Sequence, residues 1–305
     1  MKQWLVLVCF VNVVLFAPLV WSYVEEPVKD GGHITGHVSL MGNKPIPKAF
    51  NIVTFPDSEY CGRISTGTGW RLLDEFHVAP AGGLQGVVVM LEGIEKGKPF
   101  HVPVPTIEAK DCMYSPNVLV IRDLQPIQVV NMDPIVHDVQ IYEMAPFGAE
   151  IMFHRPLRMN PYHQVKTQSH EHRPGEPLVD MIHFSKGRRI FFLECGFHGY
   201  MQSQGVAVTN PYFAITDEQG NFTISDIPEG VYTLVAWHPG MGGILDMQVV
   251  VLADETITTG FEYQASDVRQ SPHTTMVENP HFGPEVLGML GKIVNIVPTH
   301  EVQVP

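Results

Sequence analysis

Short runs in which apolar and polar positions alternate recur along most of this chain, separated by clusters of Gly, Pro, Asn and Asp. A period of two predicts β-strands with one face on a core and the other in solvent. Residues 31–55 alternate on both sides of Met41-Gly42-Asn43-Lys44-Pro45, which predicts a hairpin. Residues 82–93, apolar and bounded by glycines, predict a buried strand. Runs at 106–109, 117–121, 126–130, 137–142, 178–184, 188–194 and 204–209 predict further strands. The stretch 143–177 breaks the pattern. It is rich in Pro and carries Arg155, Arg158, His154, His163, His170 and His172. It predicts a long excursion between two strands, the kind of loop that carries function or moves.

From Pro211 the alternation resumes. Asp217-Glu218-Gln219-Gly220 and Ile227-Pro228-Glu229-Gly230 are turn sequences separating alternating runs, which predicts a β-meander over 210–263. The remainder, 264–305, reads as a polar, Pro-rich tail with one short helix over 284–294. The start differs. Residues 4–21 are apolar apart from Asn12, Lys2 supplies a positive charge ahead of them, and Val20 and Ser22 fit a small-residue cleavage rule. Residues 1–22 are therefore expected to be a secretory signal; an uncleaved anchor is the alternative, since the run is about as long as a minimal membrane-spanning helix. The expected division is a signal (1–22), an N-terminal β-rich region (23–104), a central β domain (105–209), a second β-sandwich domain (210–263) and the tail (264–305).

Composition narrows the class. The 305 residues hold 27 Gly and 25 Pro, and charged residues make up 17%. That suits an all-β chain with many turns. The net charge is −13, with no basic patch, which argues against nucleic acid or an anionic membrane as partner.

Cysteine count adds a constraint. Cys9 leaves with the signal, so Cys61, Cys112 and Cys195 remain. Exported proteins tend to pair their thiols, and an odd count leaves one over. Cys61 and Cys112 both sit in turn-like contexts and are the candidate pair. Pairing Cys195 instead would orphan another cysteine.

Cys195 is also the one with ligands beside it. Cys195-Gly-Phe-His198-Gly-Tyr-Met201 follows a strand-like run, and Asn131-Met-Asp-Pro-Ile-Val-His137 offers a second imidazole in a turn. A thiolate, two imidazoles and a weaker thioether form the donor set of a mononuclear electron-transfer copper site. The pair His170 and His172 lacks a third ligand and reads as a solvated loop. His238, after Trp237, reads as a packed residue. Asn221-Phe-Thr fits a glycosylation acceptor, a motif common by chance.

The spacing Cys195-x-x-His198-x-x-Met201, with Asp133-Pro-x-x-His137 upstream, resembles the cupredoxin (blue copper) family of the amicyanin and plastocyanin type, over about residues 105–209. The resemblance implies a Greek-key β-sandwich holding one type 1 copper ion. His137, Cys195 and His198 would be equatorial ligands and Met201 the axial one. It also implies that His198 lies nearest the surface, ringed by Phe197, Gly199 and Tyr200. Residues 210–263 resemble the carboxypeptidase regulatory-like, transthyretin-like sandwich, and Gly32-His-Ile-Thr-Gly-His-Val is a weaker match to the same type. Two departures stand out. Asp138 follows His137 where many cupredoxins have Asn, and an acid beside the thiolate is expected to lower the potential. Gly199 stands where Pro commonly follows the second His and leaves the loop less constrained.

The functional expectation is an exported, periplasmic or secreted electron carrier and no enzyme. Its partners would be c-type cytochromes or a periplasmic oxidoreductase, without nucleic acid or a membrane span in the mature chain. Two rivals remain open at this stage. One is a copper storage or delivery protein using the histidines of 154–172; the other is a structural β-sandwich protein with a vestigial site.

Overall fold

The N-terminal strand Gly32–Met41 pairs in parallel with Thr256–Gln264, from His33 opposite Thr256 to Met41 opposite Gln264. This pairing fixes the architecture. The computed structural model describes residues 23–62, 69–145, 148–165, 170–171, 173–185 and 189–269. The expected signal, Cys9 and the helix at 284–294 lie outside the described residues. Almost everything described is strand and turn; helix is confined to single turns such as Ser58–Cys61.

Two sheets form a first sandwich. One runs Phe213–Ile215, Val88–Glu92, Gly230–Trp237, Leu245–Val251 in spatial order; the other runs Asn221–Ile227, Gly32–Met41, Thr256–Gln264. Ile34, Val38, Leu84, Leu91, Leu234 and Phe261 fill the space between them. Two expectations are corrected here. The hairpin over 31–55 does not form, because Lys48–Asn51 pairs with Trp70–Leu73 instead. Residues 210–263 are not a self-contained domain either, because interior strands of both sheets come from the N-terminal region. Alternation tells which face of a strand is buried; it does not name the partner strand.

The chain between these contributions builds a second sandwich. Its sheets are Leu178–Met181, Pro126–Asn131, Thr106–Lys110, Met113–Ser115 and Gly148–Leu157, His137–Ala145, Ile190–Cys195, Gln202–Val208, Val118–Arg122. Alternate residues face inward: Ile107 and Ala109 from one sheet meet Val139, Ile141, Phe191 and Leu193 from the other. The expected excursion at 143–177 is partly regular, since Gly148–Leu157 returns as an antiparallel partner of His137–Ala145. It is an edge strand with most residues exposed, so it lacks the alternation that would mark it.

Close backbone approach is required at Gly205, opposite both Phe191 and Leu119. A Cβ there would lie 2.4 Å from the Phe191 ring and 2.8 Å from the Leu119 carbonyl oxygen. Gly205→Ala is expected to cost about 1–3 kcal/mol through overpacking, read as a lower urea midpoint.

A third apolar cluster joins the sandwiches: Val88, Met90, Val235 and Trp237 of the first meet Phe100, Val206 and Val208. A further crossing matters for function. Residues 48–62 leave the first sandwich and lie on the second, with Ile52 and Cys61 in its core. A disulfide joins Cys61 to Cys112 there.

Candidate metal centre

Strand register brings the first two ligands together. Val139 sits opposite Cys195, and His137, two residues earlier, projects to the same face. The turn before His137 is set by Asn131. Its side-chain oxygen accepts from the Asp133 N–H at 2.9 Å, and its amide donates to the carbonyls of Ile135 and Arg158 at 2.7 and 2.8 Å. After Cys195 the chain makes two successive tight turns. His198 N–H donates to the Cys195 carbonyl (3.1 Å), Met201 N–H to the His198 carbonyl (2.7 Å), and Cys195 N–H to the Met201 carbonyl (3.1 Å). Residues at 195, 198 and 201 are thereby all turned inward, and with His137 each is 0% exposed.

The Cys195 Sγ lies 3.8 Å from His137 Nδ1 and 3.5 Å from His198 Nδ1. Donor atoms of the three residues all lie within 4.8 Å of one another. Metal bonds of about 2.3 Å to sulfur and 2.0 Å to imidazole, spread at 120°, put sulfur and nitrogen about 3.7 Å apart. The two sulfur–nitrogen spacings therefore fit one ion shared by Cys195 and the two imidazoles, and Cys195 is the free thiol among the described cysteines. Met201 is buried in the same core.

The electrostatics prepare this donor set. Burial raises the Cys195 pKa, but its hydrogen-bonding contacts with the His137 and His198 rings and with the Asp138 N–H (3.3 Å) outweigh it and bring the value to about 6. The thiolate is thus the resting form at neutral pH. Burial lowers the His137 pKa, but the Asp133 carboxylate and then the Cys195 sulfur raise it to about 9. Burial likewise raises the Asp133 pKa, and its hydrogen bonds, first of all from His137, hold it below the usual carboxylate range.

Asp133 is the functional residue that sequence reasoning missed. Its Oδ2 lies 3.0 Å from His137 Nε2 and accepts from Cys112 N–H at 2.8 Å. Its Oδ1 accepts from Asp111 N–H (2.8 Å) and the Tyr60 hydroxyl (3.1 Å). A carboxylate on the far nitrogen fixes the imidazole's tautomer and aims Nδ1 at the metal. The signal was present as an acid four residues before His137, inside the quoted turn.

Asp138 sits otherwise than expected. Its main-chain N–H serves the thiolate, while its carboxylate pairs with His154 Nε2 (2.7 Å) and accepts from Gln140 Nε2 (2.8 Å). The acid is directed at His154 rather than at the sulfur. The His154–His172 group does not converge in what is described: His163 Nδ1 donates to the Met132 carbonyl (2.8 Å), and His172 lies outside the described residues.

The expected surface position of His198 is corrected. Its Nε2 donates to the Pro56 carbonyl at 3.1 Å, with Cys61 Sγ at 3.8 Å and Asp57 Oδ2 at 3.9 Å. Residues 52–61 lie over it, and a segment so distant in sequence leaves no trace in the ligand loop. Tyr200 is likewise buried, edge-on to Phe55 at 5.0 Å. Phe197 remains on the surface, 44% exposed.

A family model, polysaccharide lyase family 4, domain II, matches residues 198–259. It stands in place of the expected carboxypeptidase regulatory-like assignment and covers a minority of the chain. No curated protein matches the sequence. Among solved structures, part of the chain is similar to a purple cupredoxin from Nitrosopumilus maritimus (15% identity, 34% of this chain and 99% of that one, TM-score 0.24). It is also similar to amicyanin from Paracoccus versutus (9%, 35% and 84%, 0.25). A third is the copper-containing nitrite reductase of Thermus scotoductus SA-01 (15%, 36% and 24%, 0.25), of whose length the match spans about a quarter. The strands and the cluster describe an all-β protein with a buried thiolate–imidazole site suited to a single metal ion.

Proposed function

We propose that this protein is an exported carrier of single electrons. It would hold one type 1 copper ion at His137, Cys195 and His198, with Met201 on the axis. One observation carries the reading: two imidazole Nδ1 atoms stand 3.8 and 3.5 Å from one free, buried thiol. Copper, when bound, supplies a one-electron couple.

The chain's own residues supply rigidity. Asp133 holds the His137 ring from behind, the Pro56 carbonyl holds His198, and the Asp138 N–H stabilises charge on the sulfur. A ligand set pinned at its outer atoms moves little when the charge inside it changes, which keeps reorganisation small. The reading is of a carrier rather than an enzyme because Cys195, His137 and Asp133, which could otherwise act as nucleophile, base and orienting acid, are each 0% exposed and out of a substrate's reach. Export is supported by the apolar start of the chain and by the disulfide. No helix among the described residues is long and apolar enough to cross a membrane. Redox proteins such as c-type cytochromes or a periplasmic oxidoreductase are the proposed partners.

Adding Cu(II) to the purified protein is expected to give an intense absorption at about 600 nm, with one copper per chain. The band should vanish in Cys195→Ser. A colourless protein with all four side chains intact would overturn the reading.

A further inference from the structure

We infer that electrons enter and leave this protein at the Gly196–Phe197 turn beside Cys195, and that the His198 edge is a closed face. The inference rests on the copper reading and deepens it by naming the route.

His198 is 0% exposed although the loop that carries it lies at the end of its sandwich. The segment from Ile52 to Cys61 covers it. That segment is held by the Cys61–Cys112 disulfide, by the Tyr60 hydroxyl on Asp133, and by Phe55 against Tyr200 at 5.0 Å. The outer edge of the His198 ring meets the Pro56 carbonyl through a hydrogen bond at 3.1 Å rather than opening to solvent. The cleft between the sandwiches, ≈ 560 Å³, offers no third way, because Tyr200 and Met201 in its lining are 1% and 0% exposed.

The thiolate side is different. Gly196 and Phe197 are exposed and directly follow the ligand in the chain, so the path from Sγ to the surface is covalent throughout. Val136, next to His137 in the chain, is 38% exposed.

Two measurements test this. In the first, the metal-free protein is treated with diethyl pyrocarbonate and mapped by mass spectrometry. His154, 54% exposed at its side chain, should be modified and His198 spared. Equal modification of the two overturns the closed face without reference to copper. In the second, the oxidation rate of the Cu(I) protein by ferricyanide is followed at low ionic strength. A positive charge at the portal attracts the anion, so Phe197→Lys is expected to raise the rate about tenfold with the absorption band unchanged. Glu59→Lys, on the covering segment, should leave the rate as it was. A larger effect from Glu59→Lys, equal effects, or none from either overturns the portal. Failure of the copper reading shows separately, as the absence of the band in every variant, and removes the portal with it.

Discussion

Asp133→Ala is expected to destabilise the metal-free protein by about 3–5 kcal/mol, because it leaves a buried imidazolium and buried N–H donors without their acceptor. Copper affinity should fall about 10–100-fold as the His137 ring loses its aim. Urea unfolding and a copper titration read the two effects; a variant within about 1 kcal/mol of the parent, on the order of an exposed ion pair, would show that the carboxylate is not engaged as described. The pH dependence gives a sharper signature. The His137 pKa is raised to about 9, so its contribution is complete below the unfolded value of about 6.5 and is lost as pH rises through 9. The Cys195 pKa is lowered to about 6, so its contribution is complete above the unfolded value of about 8.5 and is lost as pH falls through 6. Between about 6.5 and 8.5 the folded pair binds one proton, on His137, and the unfolded pair binds one, on the thiol. The slopes cancel and these two groups leave stability flat across neutral pH. Cys195→Ser removes one arm, and stability should then decline as pH rises above about 6.5.

The second large effect belongs to the disulfide. Cys61 and Cys112 are 51 residues apart, and in the loop-entropy account a closed loop of that size stabilises by about 4 kcal/mol. Changing both residues to Ser should lower the unfolding free energy by roughly that amount. It should also speed copper loss. Cys112 N–H positions the acid behind His137, and Cys61 ends the segment that holds His198, so one covalent link steadies both imidazoles. An unchanged urea midpoint with the band intact would show that the link is dispensable.

The cluster was legible in the sequence because each half carries its own local signal. Cys195, His198 and Met201 share one loop, and His137 opens a strand with clear alternation. The strands at 106–110 and 190–195 were legible because each buries every second residue. What lay hidden was long-range. Pro56 and Cys61 reach His198 across a gap of sequence in which nothing marks them as neighbours. Gly32–Met41 shows a buried face yet not that its partner is Thr256–Gln264. Gly148–Leu157 escaped because an exposed edge strand has no hydrophobic period to read. Asp133 stood in plain view, but its role depends on a four-residue turn whose geometry Asn131 sets through side-chain hydrogen bonds.

The parallel pairing of Gly32–Met41 with Thr256–Gln264 has a consequence for biosynthesis. Gly32–Met41 meets its partner strands only after Asn221–Ile227 and then Thr256–Gln264 are made, and pairings so remote form slowly. The insert that carries His137, Cys195 and His198 holds its own core and is complete well before Thr256–Gln264 is made. Assembly thus runs from the middle outward, with Asn221–Ile227 and Thr256–Gln264 closing on Gly32–Met41 around an interior that has already taken shape.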